Sequence, residues 1–279
     1  MRYLLLLTLV LATTLFASCG PAATPAPPID QATPTEITVA GSTSVQPLAE
    51  VLAEAYMGAH PETRITVQGG GSSVGVKSAG EGIVEIGNAS RNVKDEEFDT
   101  YPDLMVHTIA RDGIAIVVHP DVPVDGLTKE QVKGIYEGSI STWNEVGGPN
   151  VPIVVAGREE GSGTRGAFGD LVMGDEEFAM VETAILQPSN GAVRTTVSTT
   201  PNSIGFVSFG YLDRSVKALA IDGVEATVDN ALAGEYPVVR PLNMLTKGEP
   251  SGAVESWLDF ILSQDGQAIV AEEGYIAAQ

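Results

Sequence analysis

The chain has 279 residues, 36 of them acidic and 15 basic, for a formal charge of −21, with one cysteine and three histidines. Nucleic acid is excluded as a partner, because phosphate-backbone binding needs a basic footprint. One cysteine excludes an intrachain disulfide, and three scattered histidines offer no transition-metal site, so no cofactor is expected.

The chain opens on a targeting segment. Arg2 is a minimal basic region, and Tyr3 to Phe16 is apolar but too short for a comfortable membrane span. The segment ends Leu15-Phe16-Ala17-Ser18-Cys19, which resembles a bacterial lipobox. That resemblance implies cleavage before Cys19, a signal over 1–18 and a lipid on the cysteine sulfur. Phe16 stands where an aliphatic residue is usual, and a conventional secretory signal with an incidental cysteine is the alternative. Residues 19–35 carry prolines at 21, 25, 27, 28 and 34 and almost no large apolar side chain. Such a stretch cannot build a core and reads as an extended tether. No further run of 18 or more apolar residues follows, so the body is expected to lie outside the membrane.

The body alternates strand and helix patterns. Glu36–Val39 is strand-like, and Ser44–Ala59 is helical, with Leu48, Leu52, Ala55 and Tyr56 on one face and His60-Pro61 as the stop. A strand at Arg64–Val67, a helix near Ser73–Gly80 and a short strand at Val84–Ala89 follow. Met105–His119 contains the β-branched run Gly113–Val118. Thr128–Tyr136 is a helix capped by Thr128, with Glu130 early in its first turn. Val151–Ala156 reads as a buried strand, and Gly166–Met173 and Glu176–Thr183 as helical. Asn190-Gly191-Ala192-Val193 opens another helix. Strands at Ile204–Val207, Val216–Ile221 and Pro241–Leu245 precede helices over Ser251–Ser263 and Gln264–Glu272. The alternation predicts an α/β fold with largely parallel sheets.

Three strand-to-helix turns are built from Gly, Ser and Thr: Ala40–Ser44, Gln68–Gly75 and Arg158–Arg165. The first N–H groups of a helix lack an internal partner, and the helix dipole adds partial positive charge there. Ser162 and Thr164 can add hydroxyl donors, and Arg158 supplies a forked cation that matches an oxyanion. Together such turns would wrap a small anion. The surplus surface carboxylates do not forbid this, because salt screens their repulsion beyond about 8 Å. Gly71-Ser72-Ser73-Val74-Gly75 fits the hydrolase elbow G-x-S-x-G, but none of His60, His107 and His119 lies in a convincing loop to act as its base. Gly70–Ser78 nearly spells a P-loop, yet Val76 separates the glycine from Lys77.

The segments GSTSVQP at 41–47, GGGSSVGVK at 69–77, ASR at 89–91, RDGIAIVVH at 111–119, REEGSGTR at 158–165 and NSIGFVSFGYL at 202–212 resemble, in order and spacing, the phosphate-binding component of the high-affinity phosphate ABC transporter. The resemblance spans nearly all of 36–279. It implies a two-lobe type II periplasmic binding protein fold with a ligand cleft between lobes and two crossover strands. One lobe would hold 36–108 and 240–279, the other 109–239, with crossovers near His107–Asp112 and Tyr236–Arg240. It further implies a monomeric, non-enzymatic receptor outside the cytoplasm, held by the lipid, that passes inorganic phosphate to permease subunits. The resemblance assigns Thr43 and Ser44 to the first helix start, Ser72 to the second, Arg158 as the clamp, and Ser162, Gly163 and Thr164 to the opposite lobe. Glu160 is either an ion-pair partner that orients Arg158 or a solvated carboxylate. Some members of the family carry an aspartate where this chain has Arg91. Arg91 is then a second cation on the anion, or it turns outward to Asp95 or Glu96. With that aspartate missing, Asp112 and Glu160 are the candidate acceptors for the phosphate proton. The alternatives are a sulfate- or molybdate-type oxyanion receptor, or a surface phosphatase or adhesion protein on the same fold.

Overall fold

Residues 34–278 are described by the computed structural model. The signal, Cys19 and residues 20–33 lie outside them. In chain order the strands are β1 (Thr35–Gly41), β2 (Thr63–Gly69), β3 (Ile86–Ala89), β4 (Leu104–Val118), β5 (Gly126–Leu127), β6 (Val154–Arg158), β7 (Ile185–Gln187), β8 (Ser203–Ser208), β9 (Lys217–Ala218), β10 (Ala220–Ile221), β11 (Val239–Lys247) and β12 (Ile276–Ala277). The helices are α1 (Gln46–Ala59), α2 (Ser72–Glu81), α3 (Asp95–Thr100), α4 (Lys129–Glu137), α5 (Gly163–Phe168), α6 (Asn190–Thr199), α7 (Val228–Leu232), α8 (Gly252–Leu262) and α9 (Gln264–Glu272).

The main sheet runs in the order β2-β1-β3-β11-β4-β8-β6-β7. β1 pairs in parallel with β2 and β3, and β6 in parallel with β7 and β8. Both sets follow from strand-turn-helix units, since a parallel return needs a crossover. The centre departs from the largely parallel expectation. β11 runs antiparallel to β3 and β4, and β4 antiparallel to β8. Two long strands passing through the middle of the sheet cause this mixture. β4 pairs with β11 over Leu104–Gly113 and with β8 over Ile114–Val118.

There are two main hydrophobic cores. One gathers Ile37, Val39, Leu48, Leu52, Ile86, Leu242, Met244 and Trp257. The other gathers Ile114–Val118, Tyr136, Trp143, Phe168, Val193 and Phe206. β4 feeds both, with Ile109 and Ala110 in the first and Ile114 onward in the second. In α1 the buried side chains are Leu48, Ala49, Leu52, Ala53 and Tyr56, two rows spaced by four. Ala55, expected on that face, is exposed, because it lies one position off the first row and two off the second. Thr128 caps α4 as expected: its hydroxyl accepts the Gln131 N–H at 3.1 Å, and the Gln131 side chain answers the Thr128 N–H at 2.9 Å.

Glu176–Thr183 is not helical. Gly174 ends the preceding turn at φ 76°, and the Asp175 carboxylate accepts the Glu177 N–H. Phe178 is buried against Phe168, and the Val181 N–H donates to Tyr136 O at 2.8 Å. These outside anchors hold the segment as a pair of turns and override a weak local helical preference.

Candidate functional site

Four strand-to-helix turns bring their residues to one place: those before α1, α2, α5 and α6. Close backbone packing sets the position of α2. A Cβ on Gly75 would overlap Asn88 O, so only glycine lets α2 lie against β3. α5 then meets α2 end to end at Gly163, where a Cβ would overlap the Ser72 hydroxyl and come within 2.7 Å of Ser90 Oγ. The Ser72 hydroxyl accepts the Ser90 N–H at 3.0 Å, and the Ser162 hydroxyl accepts the Arg165 N–H at 3.2 Å as the cap of α5. Among the described residues the N–H groups of Ser72, Gly163 and Thr164 find no protein acceptor, the ordinary condition of a first helical turn.

The hydroxyls of the first and third turns touch. Ser44 Oγ lies 2.9 Å from Thr164 Oγ1. Thr43, Ser44, Ser72, Ser162 and Thr164 are all buried. Arg158, 2% exposed at the end of β6, points into the same cluster. Its Nη1 donates to Thr164 Oγ1 at 3.5 Å, Nε to Gln187 O at 3.1 Å and Nη2 to Pro188 O at 3.0 Å. Among the described residues no carboxylate lies within ion-pair distance of this guanidinium. Burial, and then repulsion from Arg240, push its pKa down to about 10 from the ordinary 12.5.

Thr43, Ser44, Ser72, Arg158, Ser162, Gly163 and Thr164 are therefore assembled together. Three other expectations need correction. Glu160 is exposed and makes no ion pair with Arg158, so the ion-pair alternative falls and the solvated one stands; the Gln187 and Pro188 carbonyls orient Arg158. Asp112 is buried, and protein donors engage both of its oxygens. Oδ2 receives Arg240 Nη2 at 2.8 Å and Nε at 3.2 Å, and Oδ1 receives the Phe209 N–H at 3.2 Å. Burial holds the Asp112 carboxyl above the usual range in spite of Arg240.

Arg91 is the third. Its guanidinium turns away from the clustered hydroxyls into a two-pronged bond with Glu97, at 2.7 and 2.8 Å, with a 3.2 Å bond to Ser73 Oγ and Glu176 3.6 Å away. The outward alternative named Asp95 or Glu96. The partner is Glu97, because the capping box at the start of α3 fixes that carboxylate beside β3's end, where it also accepts the Lys94 N–H. Arg91→Ala is accordingly expected to leave phosphate affinity within about threefold of wild type, read by titration calorimetry, because a side chain outside the contact shell acts only through a screened field.

Several residues of the cluster escaped sequence reasoning. Asn190, fully buried at the start of α6, reaches Thr43, Ser44 and Thr164. Arg240 on β11 donates to Ser44 Oγ at 2.8 Å and to Ser90 O at 3.2 Å. The Tyr211 hydroxyl donates to Thr43 O at 2.7 Å. Signals existed. Ser189-Asn190-Gly191 repeats the strand-turn-helix pattern of the other three turns, and Arg240 is a lone charge in the apolar run Pro237–Leu242.

The model of the PBP superfamily domain matches residues 22–265. The phosphate-binding protein PstS of Bacillus subtilis is 37% identical over 242 residues, 86% of this chain and 80% of its own. A crystal structure of a phosphate ABC transporter substrate-binding protein from Clostridium perfringens with bound phosphate superposes with a TM-score of 0.84 at 43% identity, covering 88% of this chain and all of that one. An ABC-type phosphate transport receptor from Vibrio cholerae gives 0.72 at 38% identity, over 86% of this chain and 99% of its own. The fold is the α/β type II periplasmic binding protein class that the resemblance implied. The chain belongs to the PBP superfamily and, within it, to the family of the PstS proteins.

Proposed function

We propose that this chain is an extracytoplasmic receptor for inorganic phosphate that hands its ligand to an ABC importer. The observation that carries the reading is Arg158, a buried cation without a carboxylate partner among the described residues, set among five buried hydroxyls and the free N–H groups of two helix starts. A buried charge is costly unless paired, and a bound oxyanion supplies the pairing. Thr43, Ser44, Ser72, Arg158, Ser162, Gly163 and Thr164 form its ligand shell.

Two hydrophobic cores support a lobe of 36–108 with 240–279 and a second of 109–239, joined through β4 and β11, except that Ile109 and Ala110 pack in the first core and Ile276 in the second. Bonds that cross between those segments, Ser44 to Thr164, Tyr211 to Thr43 O and the Ser73 N–H to Gly161 O, are the ones closure around a ligand would form. The closed pair of lobes docks on the permease as a monomer, with Cys19 carrying the lipid anchor. Binding and release make and break no covalent bond, so the protein is no enzyme.

The test is titration of the chain with phosphate, sulfate and molybdate at pH 6 and pH 8, after unfolding and refolding to strip any carried-over ligand. One-to-one phosphate binding is expected, with a rise in Tm of roughly 10 °C at a thousandfold excess over Kd. Sulfate or molybdate bound as tightly as phosphate would replace this reading with a general oxyanion receptor. Turnover of a chromogenic phosphate ester would replace it with a phosphatase.

A further inference from the structure

We propose that Asn190 and Arg240 are positioning residues that set the Thr43 and Ser44 hydroxyls as donors toward the bound oxyanion. The inference rests on the phosphate reading above and concerns how the site is made ready for its ligand.

The argument starts from a group that can only donate. The Ser208 N–H lies 3.2 Å from one amide atom of Asn190. That atom must therefore be the carbonyl oxygen Oδ1. The other amide atom is then the NH₂ group, 2.8 Å from Ser44 Oγ and 3.2 Å from Thr43 Oγ1. An amide NH₂ has no lone pair to offer, so both hydroxyl oxygens accept from it.

Ser44 receives a second donor, Arg240 Nη2 at 2.8 Å. A hydroxyl has two lone pairs and one proton. Both Ser44 lone pairs are now occupied, so its proton can only be donated. It points across the cluster to the side where Thr164 Oγ1 sits at 2.9 Å and Arg158 Nη1 converges. Thr43 accepts one bond from Asn190, which leaves it a proton to donate and one further lone pair.

Both anchors are themselves held. Arg240 is fixed by Asp112 and by Ser90 O, Asn190 by the backbone of β8. Arg240 lies in the same lobe as Ser44 and aims its hydroxyl before the ligand arrives, whereas the Asn190 bonds cross between the lobes and complete the aim as they close; a hydroxyl so held keeps one direction in the closed site and adds affinity without a new ligand contact. Asn190 is 146 positions from Ser44 in sequence, and Arg240 is 196.

A double-mutant cycle read by phosphate titration of the full chain tests the idea. Ser44→Ala is expected to weaken binding about 30-fold and Asn190→Ala about 10-fold, from the usual cost of a charge-assisted hydrogen bond. If Asn190 acts through Ser44, the double variant loses well under the roughly 300-fold product, close to Ser44→Ala alone. An Asn190→Ala protein within twofold of wild type, or losses that multiply, would overturn the proposal. Asn190→Asp keeps the size and the acceptor for the Ser208 N–H, so it serves where the alanine variant does not fold. It draws the Ser44 proton inward, and adding Ser44→Ala to it should cost less than twofold, against about 30-fold in wild type. A full further loss there also overturns the proposal. A wild-type chain that bound sulfate in place of phosphate would refute the phosphate reading instead, and the same cycle would then be read with sulfate.

Discussion

Arg158→Met is expected to weaken phosphate binding by at least 100-fold while leaving the Tm of the ligand-free protein within about 3 °C of wild type, since the buried charge it removes has no partner to lose. Methionine fills much the same space. The guanidinium it replaces carries a pKa of about 10 against 12.5, lowered first by burial and then by Arg240. At 1.36 kcal/mol per unit, that depression is a cost on the order of 3 kcal/mol to the folded state. The sign follows from linkage. A base with a lowered folded pKa destabilises fully at every pH below that value, and the cost is relieved only as pH rises through about 10 to 12.5. Losing the charge removes this cost. Against it stand the Gln187 and Pro188 carbonyls, left without their donors, at roughly 1–3 kcal/mol each if no water reaches them. The two effects nearly cancel, so stability stays level while the anion loses a buried, unpaired cation. Calorimetric titration and thermal unfolding with and without phosphate check both halves. A fall of 10 °C in the ligand-free Tm would mean that Arg158 is structural.

What the sequence made legible was local. β1, β2 and β6 were readable because β-branched runs end in Gly/Ser/Thr turns, and those turns carry most of the cluster within a few residues of one another. Thr128 announced its helix as a cap, with Glu130 early in the first turn, and the structure adds the Gln131 reply. Distance in sequence hid the rest. Asn190 and Arg240 reach Ser44 across almost the whole fold, and no spacing rule links them. Arg91 sits in the ASR segment beside true cluster residues. Only the placement of α3 shows that its partner is Glu97. Glu176–Thr183 had helix-compatible residues, yet Phe178 and the Val181 N–H are claimed by α4 and α5. The mixed centre of the sheet was likewise beyond a local pattern, because strand direction at β4 and β11 is decided by how the chain crosses between cores.

Asp112→Ala should destabilise where Arg158→Met leaves stability level, though both touch a buried arginine. Arg240 is 2% exposed and its counter-charge is Asp112, 2.8 Å away and 1% exposed. Removing one partner of a buried pair strands the other and costs about 3–5 kcal/mol. For a folded body of this size that is a Tm lower by roughly 10 °C. Phosphate affinity should fall as well, because Arg240 loses the anchor that holds Nη2 against Ser44. Replacing both partners, Asp112→Leu with Arg240→Met, should recover much of the Tm, since packed apolar groups of similar volume often match a buried pair. It should not recover affinity, since Ser44 then keeps an open lone pair. Arg240→Met alone leaves Asp112 buried without its cation, and burial already raises that carboxyl's pKa. A carboxyl with a raised folded pKa stabilises fully below its unfolded value of about 3.9, and that stability is lost as pH rises through the folded pKa. The Arg240→Met protein should therefore gain Tm from pH 8 to pH 5 relative to wild type, and a flat difference across that range would place the lost stability in packing instead of charge.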